Sequence, residues 1–225
     1  MYIIKKKFNT LCNMIAKGYI KDIFIIIKNR AYSNSYWYFV RRDLCLGLKG
    51  DIPEAKMDIK IRLYKNSDNK YFSNLALDDL LINANIPTCY VAVTTDDVPC
   101  YREWLIEPSQ NKKIKGFFGH NFHELEADEC IFERAYTIEE YRGLNLYATV
   151  NYMLGKKALD LGYRWAVAII DINNIASLNA ANKLETRPHK LQVTKWRFFT
   201  RRVVYVDIPE KLKAKTPWLF PKEAS

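Results

Sequence analysis

The stretch Thr137-Ile-Glu-Glu-Tyr-Arg142-Gly143-Leu144-Asn145-Leu146-Tyr147-Ala148 joins two segments of different hydrophobic period. Before it, Cys130-Ile-Phe-Glu-Arg-Ala-Tyr136-Thr137 has the aromatic and β-branched content of a strand, and after it Gly143 to Leu161 reads as a long helix. A strand running straight into a helix leaves the first helical N–H groups without carbonyl partners, with the positive end of the helix dipole behind them. Such a turn suits a phosphate or pyrophosphate. Gly143 permits close approach of the backbone, and Arg142 adds a charge-assisted donor.

Working toward the C-terminus, Trp165-Ala-Val-Ala-Ile-Ile-Asp171-Ile is a nearly continuous apolar strand of the kind buried on both faces. Asn174 to Leu184 reads as a second helix, and Leu191 to Arg197 and Val203 to Asp207 as closing strands. This alternation predicts an α/β fold, a central sheet covered by helices. Toward the N-terminus, Ala31 to Leu48 reads as a strand, Ile59, Ile61 and Leu63 as a strand with one wet face, and Leu75 to Ala84 as a short helix. Cys89 to Val93 and Tyr101 to Ile106 flank Thr94-Thr-Asp-Asp-Val-Pro and predict a hairpin. Residues 108–128 read as an irregular connection, either a lid or a plain surface loop. It contains His120, His123 and Glu124, whose spacing departs from the usual zinc helix, so a cleft-lining role stands beside metal binding and the simple loop.

The chain has 225 residues, 49% hydrophobic and 27% charged, with eight Gly and eight Pro. That composition excludes a disordered or collagen-like chain, and the length can bury a core without staples. Five cysteines without a Cys-x-x-Cys pair fit reduced thiols in a cytoplasm better than a disulfide framework. The longest apolar run near the start, Ile23 to Ile27, is far shorter than the roughly 20 residues needed to span a bilayer. Residues 1–30 hold Lys5, Lys6, Lys7, Lys17, Lys21, Lys28 and Arg30 against a single acid, Asp22. Ile4, Phe8, Leu11, Ile15, Tyr19, Ile23 and Ile26 step by three or four, so residues 1–30 form a basic amphipathic helical segment, divided near Gly18. Its apolar face packs on the core or lies on an anionic membrane surface; its bulky aliphatics disfavour nucleic acid.

The motif Ile138-Glu-Glu-Tyr-Arg142-Gly143, the helix after it, the strand Ala166–Asp171, and Asn174-Ile-Ala-Ser177 with Lys183-Leu184 together resemble the acyl-CoA-binding core of the Gcn5-related N-acetyltransferase (GNAT) superfamily. The resemblance covers about a third of the chain. It implies a central mixed sheet flanked by helices, an acetyl-CoA donor, no metal, and transfer to a primary amine. It places the pyrophosphate on Arg142, Gly143, Leu144, Asn145, Leu146 and Tyr147, the pantetheine along the backbone of Tyr136 and Thr137, and Asn174 beside the coenzyme arm. The family pattern is Arg-x-x-Gly-x-Gly/Ala; here Asn145 and Tyr147 fill small positions, where Tyr147 would crowd the phosphates or stack on the adenine. Ala181 stands near the place of the tyrosine that serves many members as general acid, and Lys183-Leu184-Glu185-Thr186 replaces Lys-Leu-Gly-Phe. The expected organisation is residues 1–30 as the helical segment and 31–225 as one acyltransferase domain: an acceptor-side half at 31–128, the coenzyme core at 129–207 and a tail at 208–225.

Amine acetylation needs a base for the ammonium and a proton for the departing thiolate. Glu133 and Glu129, four apart, point to the same side of their strand, and Glu133 is the first candidate base, with pairing to Arg134 as its bland alternative. His123, or His120, is the second choice. The aromatic run Tyr36 to Phe39 with Arg41-Arg42 suggests an anionic acceptor, a nucleotide- or lipid-linked amino sugar of surface-polysaccharide synthesis. Two other classes remain open: an acyl carrier protein as donor, drawn to the net charge of +10, and a non-catalytic module. Both a homodimer and a position at the inner membrane face are also compatible.

Overall fold

A computed structural model describes residues 20–47, 51, 53–72, 81–82, 85–118 and 122–220. The helical pattern before residue 20, the break at Gly18, His120 and most of the helix expected at 75–84 lie outside the described residues. The elements are α1 (Ile20–Ala31), β1 (Tyr32–Asp43), β2 (Lys60–Leu63), β3 (Cys89–Val93), β4 (Pro99–Ile106), α2 (Asn111–Phe118), β5 (Glu129–Thr137), α3 (Leu146–Asp160), β6 (Trp165–Asp171), α4 (Ile175–Lys183), β7 (Arg187–Arg197), β8 (Thr200–Val206) and α5 (Glu210–Lys215). The chain divides into two compact units, 37–191 with 207–225 and 1–36 with 192–206, and both β1 and β7 contribute to each.

In the larger unit the strand order is β2-β3-β4-β5-β6-β1-β7, and in the smaller β1-β7-β8. The registers β2–β3, β3–β4, β4–β5 and β1–β6 are antiparallel, and β5–β6 is parallel. This is the helix-covered central sheet that the alternation of segments predicts, and it is mixed, as the resemblance implies. Parallel neighbours need a crossover, and α3 supplies it between β5 and β6. Its inner face, Leu146, Val150, Leu154 and Ala158, buries against Leu105, Cys130, Phe132 and Ala166. The alternate residues Trp104, Ile106, Ile131 and Val167 point to the opposite face, where Phe39, Ile114 and Leu125 cover them.

Two local features open this sheet. The parallel register pairs only Glu129↔Trp165, Cys130↔Ala166 and Ile131↔Val167. Between Arg102↔Tyr136 and Trp104↔Glu133, β5 carries one residue more than β4, and Arg134 sits there with φ of 59°. A bulge of this kind bends its strand and increases local twist, so β5 leaves β6 after three pairs.

The connection at 108–128 is more ordered than its sequence suggests: it contains α2, whose Ile114 is buried. Asn111 closes it, because its side-chain amide donates to the Leu125 carbonyl (2.8 Å) and accepts from the Leu125 N–H (3.0 Å). At the other correction, α3 begins at Leu146 rather than Gly143, since Gly143 (φ 80°) and Asn145 (φ 60°) occupy left-handed backbone that no right-handed helix admits.

Candidate active site

The turn ahead of α3 is built from conformations that turn its amides outward. After one 3-10 turn, Glu139–Tyr141, Arg142 is extended and Gly143 and Asn145 are left-handed. A side chain at 145 with φ of 60° cannot reach the helical amides, so Asn145 makes no cap; its amide donates instead to the Glu54 carbonyl (2.9 Å). The first bond of the helix runs from the Thr149 N–H to the Asn145 carbonyl (3.3 Å). The N–H groups of Leu146, Tyr147 and Ala148 precede that ladder. The Lys56 N–H donates to the Leu144 carbonyl (3.0 Å), tying the segment before β2 to the turn.

These elements enclose a cleft of about 620 Å³. Arg142, Lys56 and Lys183 bring three cations to its wall, and Gly143 presents bare backbone, with no described residue within 4 Å of where a Cβ would stand. Ala176 and Ala180, one turn apart on α4, keep the opposite wall low. Thr137 borders the cleft at the end of β5, where one edge of the strand pairs with β4 and the register with β6 has ended. The side chain of Tyr136 turns away and packs edge-on against Phe72. Asn174 accepts from the Ser177 N–H (3.1 Å) and so caps α4. Lys56 carries no sequence signal, since it sits in an unpatterned segment.

A narrow cavity of about 30 Å³ lies where β5 and β6 part, bordered by Phe132, Ala168, Tyr147, Asn151 and Arg42. Tyr147 borders both this cavity and the wide cleft. Its ring is partly buried and packs against the core beneath α3 while bordering the cleft. Burial, with the Glu103 carboxyl nearby, raises the Tyr147 phenol well above its ordinary range, so it stays protonated. Glu103, buried on β4, accepts from the Tyr101 hydroxyl (2.8 Å) and the Asn151 amide (3.4 Å). Burial pushes its carboxyl up to about 8, against those bonds and the pull of Arg42. Arg42, equally buried, donates to the Asn151 carbonyl (3.3 Å), while its second terminal nitrogen, Nη1, has no hydrogen-bond partner among the described residues. Its guanidinium fits under α3 only because residue 155 is glycine; a Cβ there would collide with it. Sequence reading missed this network, although an acid inside the apolar run Tyr101 to Ile106 is its signature.

On the opposite face, β5 presents Glu129 and Glu133. Glu129 is buried and accepts from the Glu126 N–H (3.2 Å). Its Oε2 lies 2.7 Å from His123 Nε2, and Arg41 stands 3.9 Å from its other oxygen. Burial would raise this carboxyl, but the His123 and Glu126 bonds and the charge of Arg41 outweigh it and hold it below the usual carboxylate range. Phe39 packs on the His123 ring at 4.6 Å between centroids. Glu133, beyond the last β5–β6 pair, is a quarter exposed, with Arg134 Nε 3.5 Å away. Tyr38 and Phe39 are buried in the core, which removes them as stacking faces for a sugar, and Arg41 lies 3.7 Å over the Trp165 ring. Among the described residues no group of His, Cys, Asp and Glu is placed to hold a metal ion, and no helix is long and apolar enough to cross a membrane.

No protein-family model matches the chain, and no curated protein matches it. Solved structures do. The chain is similar to a GCN5-related glucosamine N-acetyltransferase region of a fungal multi-domain GH3 β-N-acetylglucosaminidase, at 10% identity and TM-score 0.53, over 78% of this chain and 22% of that one. It is similar to a GNAT-family acetyltransferase from Colwellia psychrerythraea, at 10% identity and TM-score 0.52, over 79% and 61% of the two chains. A GCN5-related N-acetyltransferase from Sphaerobacter thermophilus matches at 10% identity and TM-score 0.50, over 84% and 58%. The chain thus spans less than two thirds of each of these proteins, and what it shares with them is the fold: that of the GNAT superfamily.

Proposed function

We propose that this protein is an acyl-CoA-dependent N-acyltransferase that transfers an acetyl group to a primary amine. The observation that carries the reading is the uncapped start of α3, opening on a cationic cleft of about 620 Å³ beside two parallel strands that part after three pairs. The residues present fit the coenzyme. Leu146, Tyr147 and Ala148 offer backbone N–H donors and Arg142, Lys56 and Lys183 offer charge to a pyrophosphate, and Ala176 and Ala180 leave room for the arm. The edge of β5 at Tyr136 and Thr137 that faces away from β4 has backbone groups to pair with an amide-bearing chain. A bound thioester supplies the activated acyl group. Tyr147, protonated and bordering both cavities, is the donor for the departing thiolate, and Glu133, past the point of parting, takes the ammonium proton directly or through water. Glu129 serves by fixing the His123 ring. Amino sugars are the first acceptors to screen, since one structural neighbour is a glucosamine N-acetyltransferase region.

The test is calorimetric titration with acetyl-CoA. Gly143→Ala places a methyl in open space, at a backbone cost of about 1–2 kcal/mol, and retains binding. Gly143→Glu aims a carboxylate into the cleft and weakens binding by about 100-fold, since juxtaposed like charges cost several kcal/mol. Failure of the unaltered protein to bind acetyl-CoA would overturn the reading and favour a carrier-protein donor or a non-catalytic module.

A further inference from the structure

The smaller unit has a chemical character of its own. Residues 1–36 and 192–206 contain eleven Lys and Arg and one acid, Asp22, whereas the remaining 24 basic and 24 acidic residues cancel. The net charge of +10 therefore belongs entirely to these two segments. Within them, β7 and β8 are joined by the two-residue turn Phe198-Phe199, both left-handed, with φ of 47° and 64°. A two-residue turn with positive φ at both positions favours Asn-Gly, and a bulky side chain there is strained. Yet both rings project into solvent, Phe198 at 89% and Phe199 at 59% exposure. The strain is not repaid by packing.

The turn is also fixed in place. The Phe198 N–H donates to the Ala31 carbonyl (2.8 Å) and the Phe199 N–H to the Arg30 carbonyl (2.9 Å), so the hairpin tip satisfies the end of α1. That helix exposes Phe24, Ile25 and Ile27, and Tyr32 follows it, exposed as well. Cations interleave with these apolar groups: Arg197 lies 3.8 Å over the Tyr32 ring, Arg30 lies 5.7 Å over Trp196, and Lys28, Arg201 and Arg202 are exposed.

We infer that α1 and the Phe198-Phe199 hairpin tip together form a docking surface for an anionic lipid bilayer, the rings and aliphatic side chains entering the headgroup boundary and the cations meeting lipid phosphates. Charge selects an anionic partner, and each basic residue near such a surface contributes about 1 kcal/mol. Aliphatic Ile25 and Ile27 select lipid over nucleic acid, which stacks on aromatic rings but gains nothing from an isoleucine.

The test compares the full chain with F198N/F199N in co-sedimentation with vesicles of phosphatidylcholine alone and of phosphatidylcholine with about one third phosphatidylglycerol. Asparagine tolerates left-handed backbone, so this variant loses the apolar rings while its thermal midpoint stays level or rises. The expected result is salt-sensitive binding of the unaltered protein to the anionic vesicles only, reduced about tenfold or more in the variant. Equal binding of the two proteins, or none by either, overturns the inference. So does a variant that leaves vesicle binding intact but converts a dimer to a monomer in light scattering, or that loses single-stranded RNA while neither protein binds vesicles.

Discussion

Two helices of the larger unit start at an asparagine, and they use it in opposite ways. Asn174, with φ of −82°, turns its side-chain oxygen onto the Ser177 N–H and closes the start of α4 upon itself. Asn145, with φ of 60°, sends its amide to the Glu54 carbonyl and leaves the start of α3 uncapped. One helix satisfies its own donors; the other leaves them uncapped beside the cleft. Residue type alone does not distinguish them, because asparagine is favoured both as a cap and in left-handed backbone. The backbone angle decides, and the preceding Gly143 helps to set it.

Asn→Asp at the two positions is the sharpest way to break this contrast. At 145 the substitution keeps the left-handed backbone but loses the donor to Glu54 and places a negative charge beside the proposed pyrophosphate. Acetyl-CoA affinity should fall by about 30- to 100-fold in calorimetry, as like charges in contact require. An unchanged affinity would mean that the uncapped turn does not meet phosphate.

The second effect concerns what lies beneath α3. Asn151, inside that helix, reaches down to Glu103, whose folded-state value near 8 stands above the roughly 4.3 of an unfolded glutamate. A raised carboxyl contributes stability that is fully present below pH 4.3 and is lost as pH rises toward 8. Glu103→Gln removes this titration. Its stability relative to the parent should therefore rise between pH 5 and 8, by on the order of 2 kcal/mol at the upper end, measured by urea unfolding at each pH. Glu129 titrates in the reverse sense, its stabilisation disappearing as pH falls below the ordinary carboxylate range. A flat difference across pH 5–8 would show that Glu103 is ionised in the fold, balanced by Arg42.

Much of this was legible in the sequence. The apolar run Trp165–Asp171, the alternation at Ile59–Leu63 and the hairpin at Thr94–Pro99 appear where periodicity puts them, since each is decided by residues within one element. The break between strand and helix at Arg142–Asn145 was recognisable for the same reason, though not the residue at which the helix starts. What was not legible depends on partners distant in the chain. Arg42 under Gly155 and Lys56 beside Leu144 bring together residues that no local pattern links. Tyr147 looks like an obstacle in the motif, yet it lies inside α3 and packs against the core, because the helix begins three residues later than Gly143. The Phe198-Phe199 turn escaped for a different reason: a strand pattern on either side of two phenylalanines hides a turn that chemistry would assign to Asn-Gly.

The smallest effect comes from the other asparagine. Asn174→Asp keeps the oxygen that accepts from Ser177 and adds a negative charge at the positive end of α4, which should stabilise the protein by about 0.3–1 kcal/mol at low salt. If Asn174 acts only as a cap, the Michaelis constant for acetyl-CoA stays within about twofold, whereas a contact with the coenzyme arm raises it. Asn174→Ala completes the pair: loss of the cap costs about 1 kcal/mol whichever role holds, so stability cannot tell them apart. The Michaelis constant can. An increase shared by both variants, alongside opposite changes in stability, would assign Asn174 to the coenzyme as well as to its helix, and the difference between the two helix starts would then be one of degree.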